Sequence, residues 1–291
     1  MNLAVIACHF NPAGFCQSRR NFLRFMRQME AEGVPLFVAE LVYDDEPWLL
    51  PEAANVLRVR TERLHTMWHK ENLLNMVERI VPSTYDALAW IDVDVWFQEL
   101  AWYDETCAAL EEHPVTQMFE KAVWTTEDGR PGFVAASAAS QGKLSMAGTP
   151  GFAWAARRTL WEQAGGLHDR AVIGGGDAVN ASAWLPCDES EYRWLRYPEM
   201  SQRVDSVRSW FRKEGGTCGS VKGTIWHEWH GEMANRHYID RHQLASLIDS
   251  ESHLRSREDG LLQFTPSVSR EIPAKIDSYF RSRKEDRTSA Y

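Results

Sequence analysis

Between Ala87 and Asp94 the chain reads ALAWIDVD, five apolar residues in a row and then two carboxylates one residue apart. A strand that is apolar on both faces belongs inside a parallel sheet covered by helices. The text before it agrees. Residues 3–8 (LAVIAC) form a short apolar run that ends in His9, Asn11 and Pro12. Residues 19–32 carry Phe22, Phe25, Met26 and Met29 at helical spacing, and Gly33 closes them. A second strand is expected over 35–42 and a third over 56–59. A helix over 70–80 presents Leu73, Leu74, Met76, Val77 and Ile80 on one face. Strand, helix, strand, helix, strand is the pattern of a doubly wound α/β domain with a mostly parallel sheet. Ligands of such sheets bind beyond the carboxyl ends of the strands.

The second half reads differently. Residues 125–150 are small, polar and glycine-bearing, which predicts a mobile loop or lid. Ten of the 18 glycines fall between Gly129 and Gly176, where backbone is expected to approach a ligand closely. From Asn235 onward the text is charged and helical and ends in a ragged tail over 281–291. The expected organisation is one α/β unit over 1–234, with a donor half to about 124 and an acceptor half from about 125, followed by a C-terminal helical extension over 235–291.

Composition narrows the function. No apolar run approaches the roughly 18 residues of a membrane span, and residues 3–8 are too short for a signal-peptide core. The five cysteines are far apart and without a C-x-x-C pair, so neither a disulfide framework nor a cysteine zinc site is expected, and a cytoplasmic location is. A net charge of −9 argues against wholesale coating of nucleic acid, while a local basic groove stays open. The thirteen tryptophans either pack the core or line a sugar or nucleobase pocket.

Three groups of residues carry chemistry. Asp92 and Asp94 share a face if the chain stays extended, and can then converge on one cation, Mg²⁺ or Mn²⁺ where phosphate oxygens also ligate; the bland alternative is a pair of solvated acids. His227 and His230, in WHEWHG, are three apart rather than four and so are not a helical zinc-protease pair. One of them completing the carboxylate site would favour Mn²⁺ over Mg²⁺. Asp177 follows Gly174, Gly175 and Gly176, where it either accepts a proton from an attacking hydroxyl or caps a helix over 178–185. His65 and His69 have no nearby acid and read as structural.

These residues together resemble the GT-A fold of nucleotide-sugar glycosyltransferases. GTPGFAWAARRTLWEQAGGLHDRAVIGGGDAVNASAW (148–184) is similar to the C-terminal segment of the β-1,4-galactosyltransferase family, and HGEMANRHYIDR (230–241) to its metal-binding histidine and the stretch after it. KENLLN (70–75) is similar to the donor-side helix of related transferases. The resemblance implies that Asp92, Asp94 and His230 hold the metal, with His227 as competitor to His230. It implies donor contacts at His9, Lys70, Asn72 and Asp92, acceptor contacts at Trp154, Gly175, Gly176 and Trp229, and Asp177 as the base of an inverting transfer from a nucleoside-diphosphate sugar, a UDP-sugar by preference. The family's glutamate before the base is Gly176 here, which leaves acceptor recognition open.

The acceptor is expected to be a glycan, a small molecule or a hydroxymethylated pyrimidine in DNA. The late H-G…N-R-x-Y pattern resembles phage sequences, which brings in DNA modification in a host cytoplasm. A flipped base needs stacking partners, and Arg203, Arg208, Arg212, Lys213 and Lys222 are the basic positions available to track phosphates. The competing class is a haloacid-dehalogenase-like phosphatase using Asp92 and Asp94, although that motif usually lies on the first strand.

Overall fold

The computed structural model describes residues 1–187, 190–192, 198–236 and 241–286, except the side chains of 198–203 and 242. The expected α/β class is the one observed. The first half builds β1 (Leu3–Phe10), α1 (Cys16–Ala31), β2 (Leu36–Tyr43), β3 (Val56–Thr61), α2 (Lys70–Glu78), β4 (Ala87–Ile91), β5 (Val95–Phe97), α3 (Trp102–Glu112) and β6 (Val115–Gln117). Then come β7 (Lys121–Thr125), β8 (Pro131–Ser137), β9 (Gly148–Thr149), β10 (Ala153–Arg157), α4 (Arg158–Ala164), α5 (Gly176–Trp184), α6 (Pro198–Lys213), β11 (Cys218–Ser220) and β12 (Thr224–His227).

The main sheet has the order β11-β6-β10-β4-β1-β2-β3. β1 pairs in parallel with β2 and β4, and β10 enters antiparallel between β4 and β6. The strand order reverses between β1 and β4. The crevice beyond their carboxyl ends is therefore where a doubly wound sheet accepts a ligand.

β4 is buried along its whole length, and its two faces serve different cores. Leu88 and Trp90 pack with Leu73, Leu74 and Val77 of α2 and with Leu160 and Trp161 of α4. Ala87, Ala89 and Ile91 face Phe22 and Phe25 of α1 and Leu110 of α3. Period-two alternation makes both faces apolar, which is why the run has no polar interruption.

Part of the segment over 125–150, expected as a mobile loop or lid, is strand: β8 over 131–137 and β9 over 148–149. β8 and β9 belong to a second sheet of order β5-β12-β7-β8-β9. Its axis is the parallel pairing of β12 with β7, and β8 pairs antiparallel with β7 on the other side.

The C-terminal part is not purely helical. It contains α7 (Arg241–Ala245), α8 (Ser250–His253), a hairpin of β13 (Leu254–Ser256) and β14 (Leu262–Phe264), and α9 (Glu271–Ser282). Leu262, Phe264, Ile276 and Phe280 close over Met67, Val172 and Ile173, a third core that ties this part to the crevice. Among the described residues no helix is long and apolar enough to cross a membrane.

Candidate active site

The carboxylates following β4 do not lie on an extended chain. Asp92-Val93-Asp94 forms a turn between β4 and β5, so the shared face expected from i, i+2 spacing is lost. The turn is held at both ends: the Asp92 N–H donates to Phe152 O at 2.7 Å, and the Glu228 N–H donates to Asp94 O at 2.7 Å. The second bond extends the antiparallel ladder in which His227 pairs with Val95. This register brings together two motifs more than 130 residues apart.

As a result the carboxylates face different partners. Asp94 Oδ2 lies 3.0 Å from His230 Nε2 and 3.7 Å from His227 Nε2, and the two imidazole nitrogens are 2.9 Å apart. Asp94, His227 and His230 form a trio with metal-ligand spacing. Both histidines are present, where the sequence left a choice between them. Asp92 is outside the trio: its Oδ1 is 2.5 Å from Lys70 Nζ, which also bonds Asp177 Oδ1 at 2.8 Å. Burial would raise the Asp94 carboxyl, but the neighbouring His230 and His227 outweigh it and hold it below the usual range. Burial, with Asp177 and Asp94 nearby, pushes Asp92 up to about 7 against the pull of Lys70. His227 is driven down to about 3, chiefly by burial. Lys70 is buried too, yet Asp177, Asp92 and Glu71 keep its ammonium well above its ordinary range.

A one-carboxylate, two-imidazole set fits a divalent transition ion such as Mn²⁺ better than Mg²⁺, which prefers oxygen. Asp94 Oδ1 is buried without a hydrogen-bond partner among the described residues, so the carboxylate keeps coordination capacity.

Asp177 is the second residue of α5 and its side chain does not cap the helix; Gly175 holds the N-cap position at φ 96°. The N-cap reading is thus replaced by the Lys70 bond. Gly176 is required for another reason. A Cβ there would run into the carboxylate of Glu71, which rises from α2 and is 2% exposed. Burial raises Glu71 to about 8. A carboxylate from α2 therefore fills the space beside a position that itself carries none.

The other expected contacts divide. His9 lines the crevice with its ring stacked on Phe22 at 4.4 Å, and burial lowers it to about 4. Asn72 turns away from the crevice. Its amide donates to Gly260 O and Asp169, and its oxygen accepts the Leu262 N–H, which fastens α2 to the C-terminal hairpin. Trp154 and Trp229 offer no free stacking face. Trp154 is 2% exposed with its indole bonded to Pro150 O, and buried Trp229 bonds Glu232. The aromatic wall beside His227 is built instead from Phe152, Trp124 and Phe133, with Phe152 4.9 Å from the imidazole and Phe133 57% exposed. Phe152 has φ 80°, unusual for a bulky residue, at the peptide whose oxygen anchors Asp92. His65 and His69 bond within the fold: His65 accepts the Phe264 N–H and His69 donates to His65 O. Of the basic positions, Arg208 is tied to Ser182 O and Asp205, Arg212, Lys213 and Lys222 are exposed, and the Arg203 side chain lies outside the described residues.

Sequence reasoning missed the far wall of the crevice. Trp68, Phe280, Arg283 and Glu285 line it, with Trp68 packed edge-on against Phe10. Arg283 lies over Trp68 at 5.3 Å, and Trp68 stacks on Phe280. Burial opposes ionisation of Glu285, but Arg283 and His230 hold its carboxyl at about 2. The expected ragged tail is thus buried at 283 and 285.

No protein-family model and no curated protein matches this sequence. Among solved structures it is similar to the catalytic domain of Drosophila β-1,4-galactosyltransferase 7 in complex with xylobiose, at 13% identity over 92% of this chain and 95% of that one, TM-score 0.42. It is similar to glucosyl-3-phosphoglycerate synthase from Mycobacterium tuberculosis in complex with Mn²⁺, UDP and phosphoglyceric acid, at 11% identity over 92% and 87%, TM-score 0.42. It is also similar to 4-diphosphocytidyl-2C-methyl-D-erythritol synthase from Anaerococcus prevotii, at 9% identity over 96% and 98%, TM-score 0.38. The α/β class rests on the sheet order and register of this chain itself, and the chemistry of the site on its own residues.

Proposed function

We propose that this chain is a metal-dependent glycosyltransferase that moves a sugar from a nucleoside-diphosphate sugar, a UDP-sugar, to an acceptor hydroxyl with inversion. The observation that carries the reading is the Asp94, His227 and His230 trio beyond the carboxyl end of β4, on the same turn as Asp92, which Lys70 bridges to the carboxylate of Asp177.

A divalent cation held by the trio would neutralise charge gained by the departing diphosphate. The chain's own residues do the rest. The Lys70 ammonium spans Asp92 and Asp177; as a diphosphate enters, it re-pairs with phosphate oxygen and releases Asp177 Oδ1. Asp177 then takes the proton of the acceptor hydroxyl while that oxygen bonds the anomeric carbon and the carbon–oxygen bond to the diphosphate breaks. Gly151 keeps this face open, since a Cβ there would lie 3.3 Å from Asp177 Oδ2. The Phe152, Trp124 and Phe133 wall offers the acceptor an apolar surface that excludes water from the reacting atoms.

The acceptor class is a glycan or small molecule on this reading. Arg208 is committed to Asp205 and Ser182 O rather than to phosphate, and a net charge of −9 also disfavours DNA. The test is donor hydrolysis and acceptor screening with Mn²⁺, hydroxymethylated DNA included. Asp177→Asn should retain donor and metal binding and lose most transfer; an Asp177→Asn variant with full transfer overturns the base assignment.

A further inference from the structure

The C-terminal turn after α9 reaches the trio from outside the α/β unit. Its path depends on Gly231, the residue after His230, which sits at φ 94°; a Cβ there would lie 2.9 Å from Arg283 O and 3.0 Å from Lys284 O. Asp286 fixes the end of the turn by accepting the Gln17 N–H at the start of α1, at 2.8 Å. Between these anchors Glu285, 6% exposed, brings Oε1 to 3.5 Å from His230 Nδ1. Arg283 and Arg236 flank the same carboxylate at 2.7 and 3.8 Å. Arg236 Nη2 also approaches His230, but nearly equally to both ring nitrogens. A donor so placed lies over the ring and not in line with either lone pair, which leaves Glu285 Oε1, 3.5 Å away and buried without a hydrogen-bond partner among the described residues, as the acceptor within reach of Nδ1.

We propose that Glu285 is the positioning residue of the metal centre: it accepts the Nδ1–H of His230 and so points the Nε2 lone pair at the position shared with Asp94 and His227. The proposal rests on the metal reading above. An imidazole ligand whose other nitrogen is held by a carboxylate is fixed in tautomer and ring orientation, and loss of such a partner weakens metal affinity about 10–100-fold. The turn bearing Arg283 and Glu285 thereby completes the site rather than trailing from it.

The test is Mn²⁺ affinity of the full chain without donor, by calorimetry and by the electron paramagnetic resonance signal of free Mn²⁺. Asp94→Ala, Glu285→Ala, Glu285→Gln and Lys284→Ala are compared, each with its metal-free Tm. Lys284 is exposed and controls for disturbance of the turn. Glu285→Ala is expected to bind Mn²⁺ about 10–100-fold more weakly, Glu285→Gln to recover part of the loss because its amide oxygen still accepts, and Lys284→Ala to bind as the parent. Glu285→Ala binding within twofold of the parent while Asp94→Ala loses Mn²⁺ overturns this proposal alone. Equal losses in Glu285→Ala and Lys284→Ala overturn it as well, since the turn's fold and not the carboxylate would then matter. Asp94→Ala binding as the parent, or a parent that binds no Mn²⁺, overturns the metal reading and this proposal with it.

Discussion

Lys70→Met removes the charge that joins the two halves of the site while keeping most of the side chain's length. Lys70 Nζ touches Asp92 at 2.5 Å and Asp177 at 2.8 Å, and its side chain is 9% exposed while theirs are 23% and 26%. Taking one partner out of a buried ion pair costs about 3–5 kcal/mol. Partial exposure of both acids argues for the low end, about 3 kcal/mol at pH 8. The penalty must depend on pH in a definite direction. Asp92 and Glu71 already sit above the ordinary carboxylate range, chiefly through burial, even with the ammonium beside them. Without Lys70 they rise further. An acid raised in the folded state is tolerated while protonated and becomes destabilising as pH climbs from its unfolded value near 4 through its folded value. The cost of Lys70→Met should therefore shrink by at least half between pH 8 and pH 5.5, read as the difference from the parent in urea titrations with chelator present. Adding Asp92→Asn and Asp177→Asn should recover most of the loss at pH 8. A cost below about 1 kcal/mol at both pH values, against the several expected for a broken buried pair, would refute the argument that this ammonium is the counterion of the cluster.

Further outcomes follow from other contacts. Gly176→Ala should destabilise by about 1–3 kcal/mol through overpacking against the Glu71 carboxylate, and Glu71→Ala should relieve it. Additive costs in the double-mutant cycle would show that the two positions do not meet. Burial lowers His69 to about 4, so its contribution is present above pH 6.5 and fades as pH falls toward 4. The cost of His69→Gln should then shrink by about 2 kcal/mol from pH 8 to pH 5, and a pH-independent cost in denaturant titrations would contradict the buried neutral imidazole.

What could be read from the sequence was local. ALAWI announces a central strand because both its faces are buried, and the helical spacing of Phe22, Phe25 and Met29 announces α1 because one face is. The signal failed where neighbours distant in the chain decide. Residues 131–137 mix glycine, alanine and exposed apolar side chains, and only pairing with β7 and β9 makes them a strand. Asp92 and Asp94 diverge because backbone bonds from Phe152 and Glu228 impose a turn, which i, i+2 spacing does not reveal. Trp154 and Trp229 have the composition of a stacking surface and the burial of core residues. Arg283 and Glu285 read as a solvated tail because charge alone does not tell that Gly231, Arg236 and His230 wait to receive them. His227 and His230 were legible as candidates, yet that both meet Asp94 depends on the pairing of β5 with β12.

The central claim is a metal-dependent nucleotide-sugar site on Asp94, His227 and His230. Calorimetric titration of a panel of nucleotide sugars into the parent chain and Asp94→Ala, with and without Mn²⁺, tests it most directly. The account predicts that one UDP-sugar binds the parent only when Mn²⁺ is present, and that Asp94→Ala loses this dependence. Binding of no donor under either condition, together with turnover of a simple phosphate ester, would contradict it and assign Asp92 and Asp94 to phosphate-ester chemistry.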